Sequence, residues 1–396
     1  MALSAYKMAF LQLGQRPVHN IQSRASLGAF PAANPTEISG RHGVLFPYCK
    51  SIRFTTAYGV HRPKIAIRPR SVRAAVVETR ESPPKFQTGT WTWSFKNKSI
   101  KIHFEEQKGN NSGPCKDILL LPTISDVSTT EEWQAVTKDL LSREGGANWR
   151  AVIVDWPGFG LSDSPSIDYN ADVMERFLVD FLSAADGPFR SSDTETVIIG
   201  GGHAAATAVR AARKGLVKAL AIVAVAPTWA GPLPIVFGRG SVMESRYGFL
   251  RTTLRAPALG WMMYNVLVSN QKSIESQYKS HVYADSKNVS SSLIESRYSL
   301  TKREGARYAP AAFLTGMLDP VQSREEFLAL FAELESKVPV LVMTTTNAPK
   351  RSKAEMDALR GAKGVSKFVE VPGALLPQEE YPGSVSDELL EFLKEL

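Results

Sequence analysis

Three histidines follow residue 77, and they limit the acid–base chemistry available to the rest of the chain. They are His103, His203 and His281. A histidine that takes a proton from a serine hydroxyl, and that a carboxylate holds in place, supports acyl transfer and ester hydrolysis. Ser125, His203 and Asp319 form one candidate set, with Asp155 as an alternative to Asp319. Such a set would make the protein an esterase or lipase.

Each member of this set also has a simpler interpretation, which we favour. Ser125 is a loop serine, and a hydroxyl without a positioned base is weakly reactive. His203 lies in a turn of small residues, where packing against neighbouring loops accounts for it. Asp319 stands before a proline and shortly after Gly316, a pattern typical of a helix start.

Strands alternate with helices over most of the chain from Trp91 onward. A hairpin is predicted at 91–104, and further strands are expected at 117–121, 151–154, 196–199, 220–225, 338–343 and 367–371. An aromatic, basic and mostly helical stretch at 228–312 interrupts the alternation. The pattern predicts an α/β fold with a doubly wound, mostly parallel sheet and a helical cap inserted at about 228–312.

The run Asp-Trp-Pro-Gly-Phe-Gly-Leu-Ser-Asp at 155–163 resembles the D-x-P-G-x-G-x-S loop of α/β-hydrolases. The resemblance implies the α/β-hydrolase fold over residues 75–396. It also implies a G-x-S-x-G nucleophile elbow between a strand and a helix, an acid after a later strand and a histidine after the last strand. A ligand pocket is expected between sheet and cap, bordered by Thr123, Trp156 and Trp229.

The positions where that family keeps its catalytic triad hold unsuitable residues. The elbow falls in Gly-Gly-Gly-His-Ala-Ala-Ala at 200–206. The frequent G-H-S form places Ala204 at the nucleophile, and a match shifted by two residues places Gly202 there. Asn347 stands where the acid is expected, and Leu376 stands where the histidine is expected. None of these side chains can act as nucleophile, acid or base.

The departures from the triad also form a pattern. Leu-Pro-Thr at 121–123, Gly-His-Ala-Ala at 202–205 and Ala-Pro-Thr-Trp-Ala-Gly-Pro-Leu-Pro at 226–234 resemble a plant and cyanobacterial group of α/β-hydrolase-like proteins with a serine-less elbow. This resemblance implies a plastid protein on a hydrolase scaffold, and it implies no particular reaction.

The first 77 residues have the composition of a targeting segment. They contain one acidic residue, Glu37, and eleven basic ones, with scattered Ser and Thr and no long apolar run. This is the signature of an organellar transit peptide. Val-Arg-Ala-Ala at 72–75 resembles a chloroplast processing site, so a chloroplast transit peptide is predicted at 1–74. A mitochondrial address is the alternative.

The basic charge of the chain belongs to this leader. Without residues 1–77, the 47 basic and 39 acidic residues become 36 and 38, and the net charge changes from +8 to −2. No nucleic-acid partner is therefore expected. Cys115 is the single cysteine after residue 77, and no Cys/His cluster has zinc spacing, so neither a disulfide nor a metal is expected there. No cofactor is expected, and no apolar run is long enough for a transmembrane helix.

Three functions from different classes remain. The first, which we favour, is a non-catalytic chloroplast protein of the stroma or the thylakoid surface that binds a small hydrophobic ligand or a protein partner. The second is an active plastid esterase or lipase with a rearranged site, which predicts ester turnover that is lost in Ser125→Ala. A cofactor-free lyase or oxygenase ranks last, because the late histidine that such enzymes on this fold usually need is missing.

Overall fold

The computed structural model describes residues 86–109, 115–143, 148–189 and 196–396. The predicted transit peptide at 1–74 lies outside these ranges, as do residues 75–85. Within them the chain forms eight strands: β1 Gln87–Phe95, β2 Lys98–Lys108, β3 Cys115–Leu121, β4 Asn148–Val154, β5 Thr196–Gly201, β6 Ala221–Val225, β7 Val340–Thr345 and β8 Lys367–Val371.

The strands make one sheet in the order β1–β2–β4–β3–β5–β6–β7–β8. β2 runs antiparallel to its neighbours β1 and β4, and every pairing from β4 to β8 is parallel. The mostly parallel sheet predicted from the sequence is confirmed. Because parallel strands end at the same edge, the loops after β3, β5, β6, β7 and β8 meet there.

Helices account for most of the remaining described residues. They are α1 Glu131–Ser142, α2 Ala171–Ser183, α3 Gly202–Arg213, α4 Pro232–Phe237, α5 Ser241–Arg255, α6 Pro257–Leu267, α7 Gln271–Gln277, α8 Ser291–Thr301, α9 Tyr308–Leu314, α10 Arg324–Ala332, α11 Lys350–Asp357, α12 Pro377–Glu380 and α13 Pro382–Leu393. A π-helical turn at Tyr278–Val282 and a 3₁₀ turn at Ser286–Asn288 lie between α7 and α8.

Apolar side chains cover both faces of the sheet. On one face, α2, α3 and α10 pack through residues such as Phe177, Ala208 and Phe327. On the other face, α1 and α13 pack through Trp133 and Leu389. The central strands are therefore continuous buried apolar runs rather than alternating ones, as is usual for parallel sheets. Among the described helices, none is long and apolar enough to cross a bilayer.

The cap lies between β6 and β7 and consists of α4 to α9, over the stretch predicted at about 228–312. Arg297 of α8 joins the cap to the sheet layers and is fully buried. Its Nε donates to Tyr278 Oη at 3.1 Å, and its two terminal nitrogens pair with Glu131 of α1 and Glu379 of α12. One cation therefore bonds groups from three separate segments.

Candidate functional site

The carboxyl edge of the parallel strands opens into a cavity of about 450 Å³ beneath the cap. The loops after β3, β5 and β6 line it, together with α4, α7 and the segment around Leu376. Much of the lining is apolar, with Ile124, Val127, Ile274 and Phe313 among the wall residues. A concave apolar space with a few polar groups, at this edge of the sheet, is the usual place for ligands in doubly wound folds.

The cavity wall includes the sharp turn from β5 into α3. Gly202 is the first residue of α3 and has a φ of 53°, in the left-handed region that strains residues with a side chain. A nucleophile elbow holds its reactive residue at such a strand-to-helix turn. The nucleophile position is therefore Gly202, and the assignment of Ala204 is corrected. Ala204 lies inside α3, is fully buried and packs in the core.

Thr123 occupies the space into which an elbow side chain would extend. A Cβ atom added at Gly202 would lie 2.7 Å from Thr123 Cγ2, and one added at Gly201 would lie 2.4 Å from Thr123 Oγ1. Real Cβ atoms do not approach other atoms so closely. The turn keeps the geometry of an elbow, while its surroundings are packed for glycine.

His203 is the second residue of α3, is 2 % exposed, and has a partner at each ring nitrogen. Its Nδ1 lies 2.8 Å from Thr228 Oγ1, and its Nε2 lies 3.2 Å from Asp319 Oδ1. The structure thus brings together His203 and Asp319 of the predicted set. Ser125 lines the same cavity, but both nitrogens of His203 are engaged elsewhere. The hydroxyl next to the imidazole belongs to Thr228.

Asp319 is fixed from two further directions. The backbone N–H of Gly231 donates to Asp319 Oδ1 at 2.9 Å, and Arg239 forms an ion pair with Oδ2. Its interpretation as a helix start is wrong, because α10 begins later, with Ser323 as its N-cap. Asp155, the alternative acid, instead accepts a hydrogen bond from the N–H of Leu161 at 2.7 Å, and burial raises its pKa to about 7.

The sequence matches the model of the alpha/beta hydrolase family over residues 118–388. The chain belongs to the alpha/beta hydrolase family. The superfamily predicted from the loop at 155–163 is therefore confirmed. No curated protein matches the sequence.

Solved structures agree with this family fold. A serine hydrolase involved in carbazole degradation has 17% identity and a TM-score of 0.55, covering 78% of this chain and 100% of its own. The haloalkane dehalogenase DatA from Agrobacterium tumefaciens C58 has 15% identity and a TM-score of 0.52, covering 78% and 97%. A thermophilic esterase from Thermogutta terrifontis has 18% identity and a TM-score of 0.53, covering 78% and 98%. At such identities the likeness shows the fold and nothing about activity.

The other two predicted triad positions are Leu376 and Asn347. Leu376 lies in the cavity wall after β8 and packs against Val127 and Tyr278. Asn347 follows β7, is exposed, and uses its backbone N–H to bond the carbonyl of Gly373 at 3.0 Å. Neither side chain can supply an acid or a base.

Two of the three predicted pocket residues lie elsewhere, and Thr123 lines the cavity as expected. Trp156 is fully buried in the core, where its indole N–H donates to the carbonyl of Pro122 at 2.8 Å. Trp229 directs its indole N–H to Glu355 of α11 at 3.0 Å. Both indoles satisfy their single donor on protein groups, so they position neighbouring loops rather than contact a ligand.

Two buried residues that the sequence did not single out hold Thr123 in place. Glu132 of α1 accepts the backbone N–H of Thr123 at 2.8 Å, and Gln378 donates to the same carboxyl group at 3.3 Å. Gln378 also donates to Thr123 Oγ1 at 3.4 Å. Burial, reinforced by the nearby carboxylate of Glu379, raises the pKa of Glu132 to about 8. Glu132 is therefore mostly protonated at neutral pH.

Asp126 and His281 are titratable groups of the cavity wall with shifted pKa values. Burial raises the pKa of Asp126 to about 6, and burial lowers the pKa of His281. Each shift favours the neutral form of its side chain relative to the same group in water. Over the ranges that the structure describes, no three His, Cys, Asp or Glu residues converge as metal ligands would.

Proposed function

We propose that this protein binds a small, largely apolar molecule in the cavity beneath its cap, and that its elbow takes no part in covalent catalysis. Gly202 carries this proposal. The position that would attack a substrate has no side chain, and Thr123 fills the adjacent space. The cavity of about 450 Å³ nevertheless stays open. A fold that keeps the binding space without the elbow nucleophile supports binding over serine-type hydrolysis.

A cavity-filling variant tests the binding site. Ser276 of α7 lines the cavity, so Ser276→Trp places an indole inside it. We expect Nile red, an uncharged apolar dye, to bind the full-length protein and to bind Ser276→Trp at least about tenfold more weakly, a loss of about 1.4 kcal/mol. Fluorescence titration measures both affinities.

Ser273→Trp is the matched control, since it makes the same change on the same helix at a residue that does not line the cavity. Its affinity should equal that of the unmodified protein. Equal affinities for all three proteins would place the dye outside the cavity and contradict the proposal.

We also propose that the protein is imported into the chloroplast. The acid-poor, basic segment at 1–77 and the Val-Arg-Ala-Ala run at 72–75 support this location. Isolated chloroplasts should import a fusion of residues 1–77 to a fluorescent protein and cleave it after Ala74. Import into mitochondria in place of chloroplasts would contradict the proposal.

A further inference from the structure

A hydroxyl, an imidazole and a carboxylate form a continuous chain at one side of the cavity. Thr228 Oγ1 lies 2.8 Å from His203 Nδ1, and His203 Nε2 lies 3.2 Å from Asp319 Oδ1. A carboxylate can only accept, so Nε2 carries the proton that it shares with Asp319. In the neutral ring Nδ1 is then an acceptor, and the hydroxyl of Thr228 donates to it. This is the ground state of a base-activated alcohol.

The base and the acid of this chain are held rigidly. His203 is buried in the first turn of α3, and its ring packs edge-on against Phe313 with centroids 5.2 Å apart. Asp319 is bound by the N–H of Gly231 and by Arg239. A preorganised base of this kind needs no rearrangement before it accepts a proton. In the serine proteases, histidine Nε2 faces the hydroxyl and Nδ1 faces the carboxylate. In His203 the hydroxyl lies at Nδ1 and the carboxylate at Nε2.

The hydroxyl is open to the cavity and lies beside Gly202, the elbow position. Thr228 is half-buried and lines the cavity together with Gly202. A Cβ atom at Gly202 would lie 3.4 Å from Thr228 Oγ1. The elbow position, which has no side chain of its own, thus stands next to a hydroxyl that already has a base.

We propose that Thr228 is a nucleophile that accepts an acyl group from a small apolar ester bound in the cavity. Thr228 Oγ1 bonds to the ester carbonyl carbon while its proton passes to His203 Nδ1. The tetrahedral adduct then breaks its bond to the alcohol oxygen, and the alcohol leaves with the proton from His203. Acyl-Thr228 remains until water attacks its carbonyl carbon while passing a proton to His203. The bond to Thr228 Oγ1 then breaks, the carboxylic acid leaves, and Thr228 Oγ1 takes the proton back from His203. The inference rests on the proposed function, because the ester must first bind in the cavity.

The test uses the full-length chain and p-nitrophenyl butyrate. We expect a burst of p-nitrophenolate and one butyryl adduct per chain, which intact mass and peptide mapping place on Thr228. Thr228→Val keeps the shape of the side chain and removes its hydroxyl. It should lose the adduct and slow the release of p-nitrophenolate at least about 100-fold. Thr228→Ser restores a hydroxyl and should restore the adduct. Thr252→Val, on an exposed face of α5, should behave as the unmodified protein.

Nile red binding distinguishes this inference from the proposed function, which is binding of an apolar molecule in the cavity. Dye binding by the unmodified protein, together with an adduct that maps to Thr228 and is absent in Thr228→Val, supports the inference. Dye binding without any adduct in the unmodified protein overturns the inference and leaves the binding function standing. An adduct that maps to Ser125 overturns it as well. Absence of both dye binding and adduct overturns both proposals.

Discussion

Replacing Arg297 with methionine is expected to lower the free energy of unfolding by about 3–5 kcal/mol, because it leaves a buried ion network without its cation. Arg297 is fully buried and bonds Tyr278, Glu131 and Glu379. Burial alone would lower its pKa, but Tyr278 and Glu379 raise the pKa well above its usual value. Methionine fills similar volume, so the loss comes from the unpaired carboxylate and phenol rather than from a void. Urea unfolding of the full-length protein measures the change.

Arg176→Met is the matched control. Arg176 pairs with Asp180 one helical turn away, and its side chain is 67% exposed, so this variant should lose no more than about 0.5 kcal/mol. A second change, Glu379→Gln in the Arg297→Met background, removes the orphaned charge and should recover part of the lost stability. A loss below about 1 kcal/mol for Arg297→Met would show that the network does not hold the cap to the sheet.

The fold could be predicted from the sequence because its signals are local. Continuous apolar runs mark the buried strands, and the change of pattern at 228 marks the start of the cap. The network around Arg297 could not be predicted, since Glu131, Tyr278 and Glu379 lie far from one another along the chain. Long-range side-chain pairing leaves no periodic trace in a single sequence.

The candidate site could be predicted in part for a similar reason. The empty elbow is visible in the run of small residues at 200–206, but the position of Gly202 depends on which residue takes the positive φ. Thr228 lies in the loop after β6, and Gly202 directly follows β5, so the ends of the strands were the signal that could have found Thr228. Trp156 and Trp229 look like pocket residues in the sequence, because a tryptophan beside a motif does not reveal which way its indole faces.

Glu132 gives the second large effect, which depends on pH. Its carboxyl group has a pKa of about 8 in the folded protein, against 4.5 ordinarily, because of burial and then of Glu379. Between these two values the folded chain holds a proton that the unfolded chain has released. Stability therefore falls as pH rises through this window, by up to about 1.4 kcal/mol per pH unit from this group, and levels off above it.

Glu132→Gln removes this dependence while its amide oxygen still accepts the N–H of Thr123. Urea unfolding should be measured from pH 5 to about pH 8. The free energy of unfolding of the variant should rise relative to that of the unmodified protein at each higher pH. Glu335→Gln, an exposed control that water solvates in both states, should give a curve parallel to that of the unmodified protein. Asp126 and Asp155 also carry raised pKa values and contribute to the pH dependence of all three proteins, so the difference between curves isolates Glu132.

Parallel curves for Glu132→Gln and the unmodified protein would mean that Glu132 is ionised in the fold. The carboxyl group that accepts the N–H of Thr123, beside Gly202, would then be a buried charge rather than a neutral group.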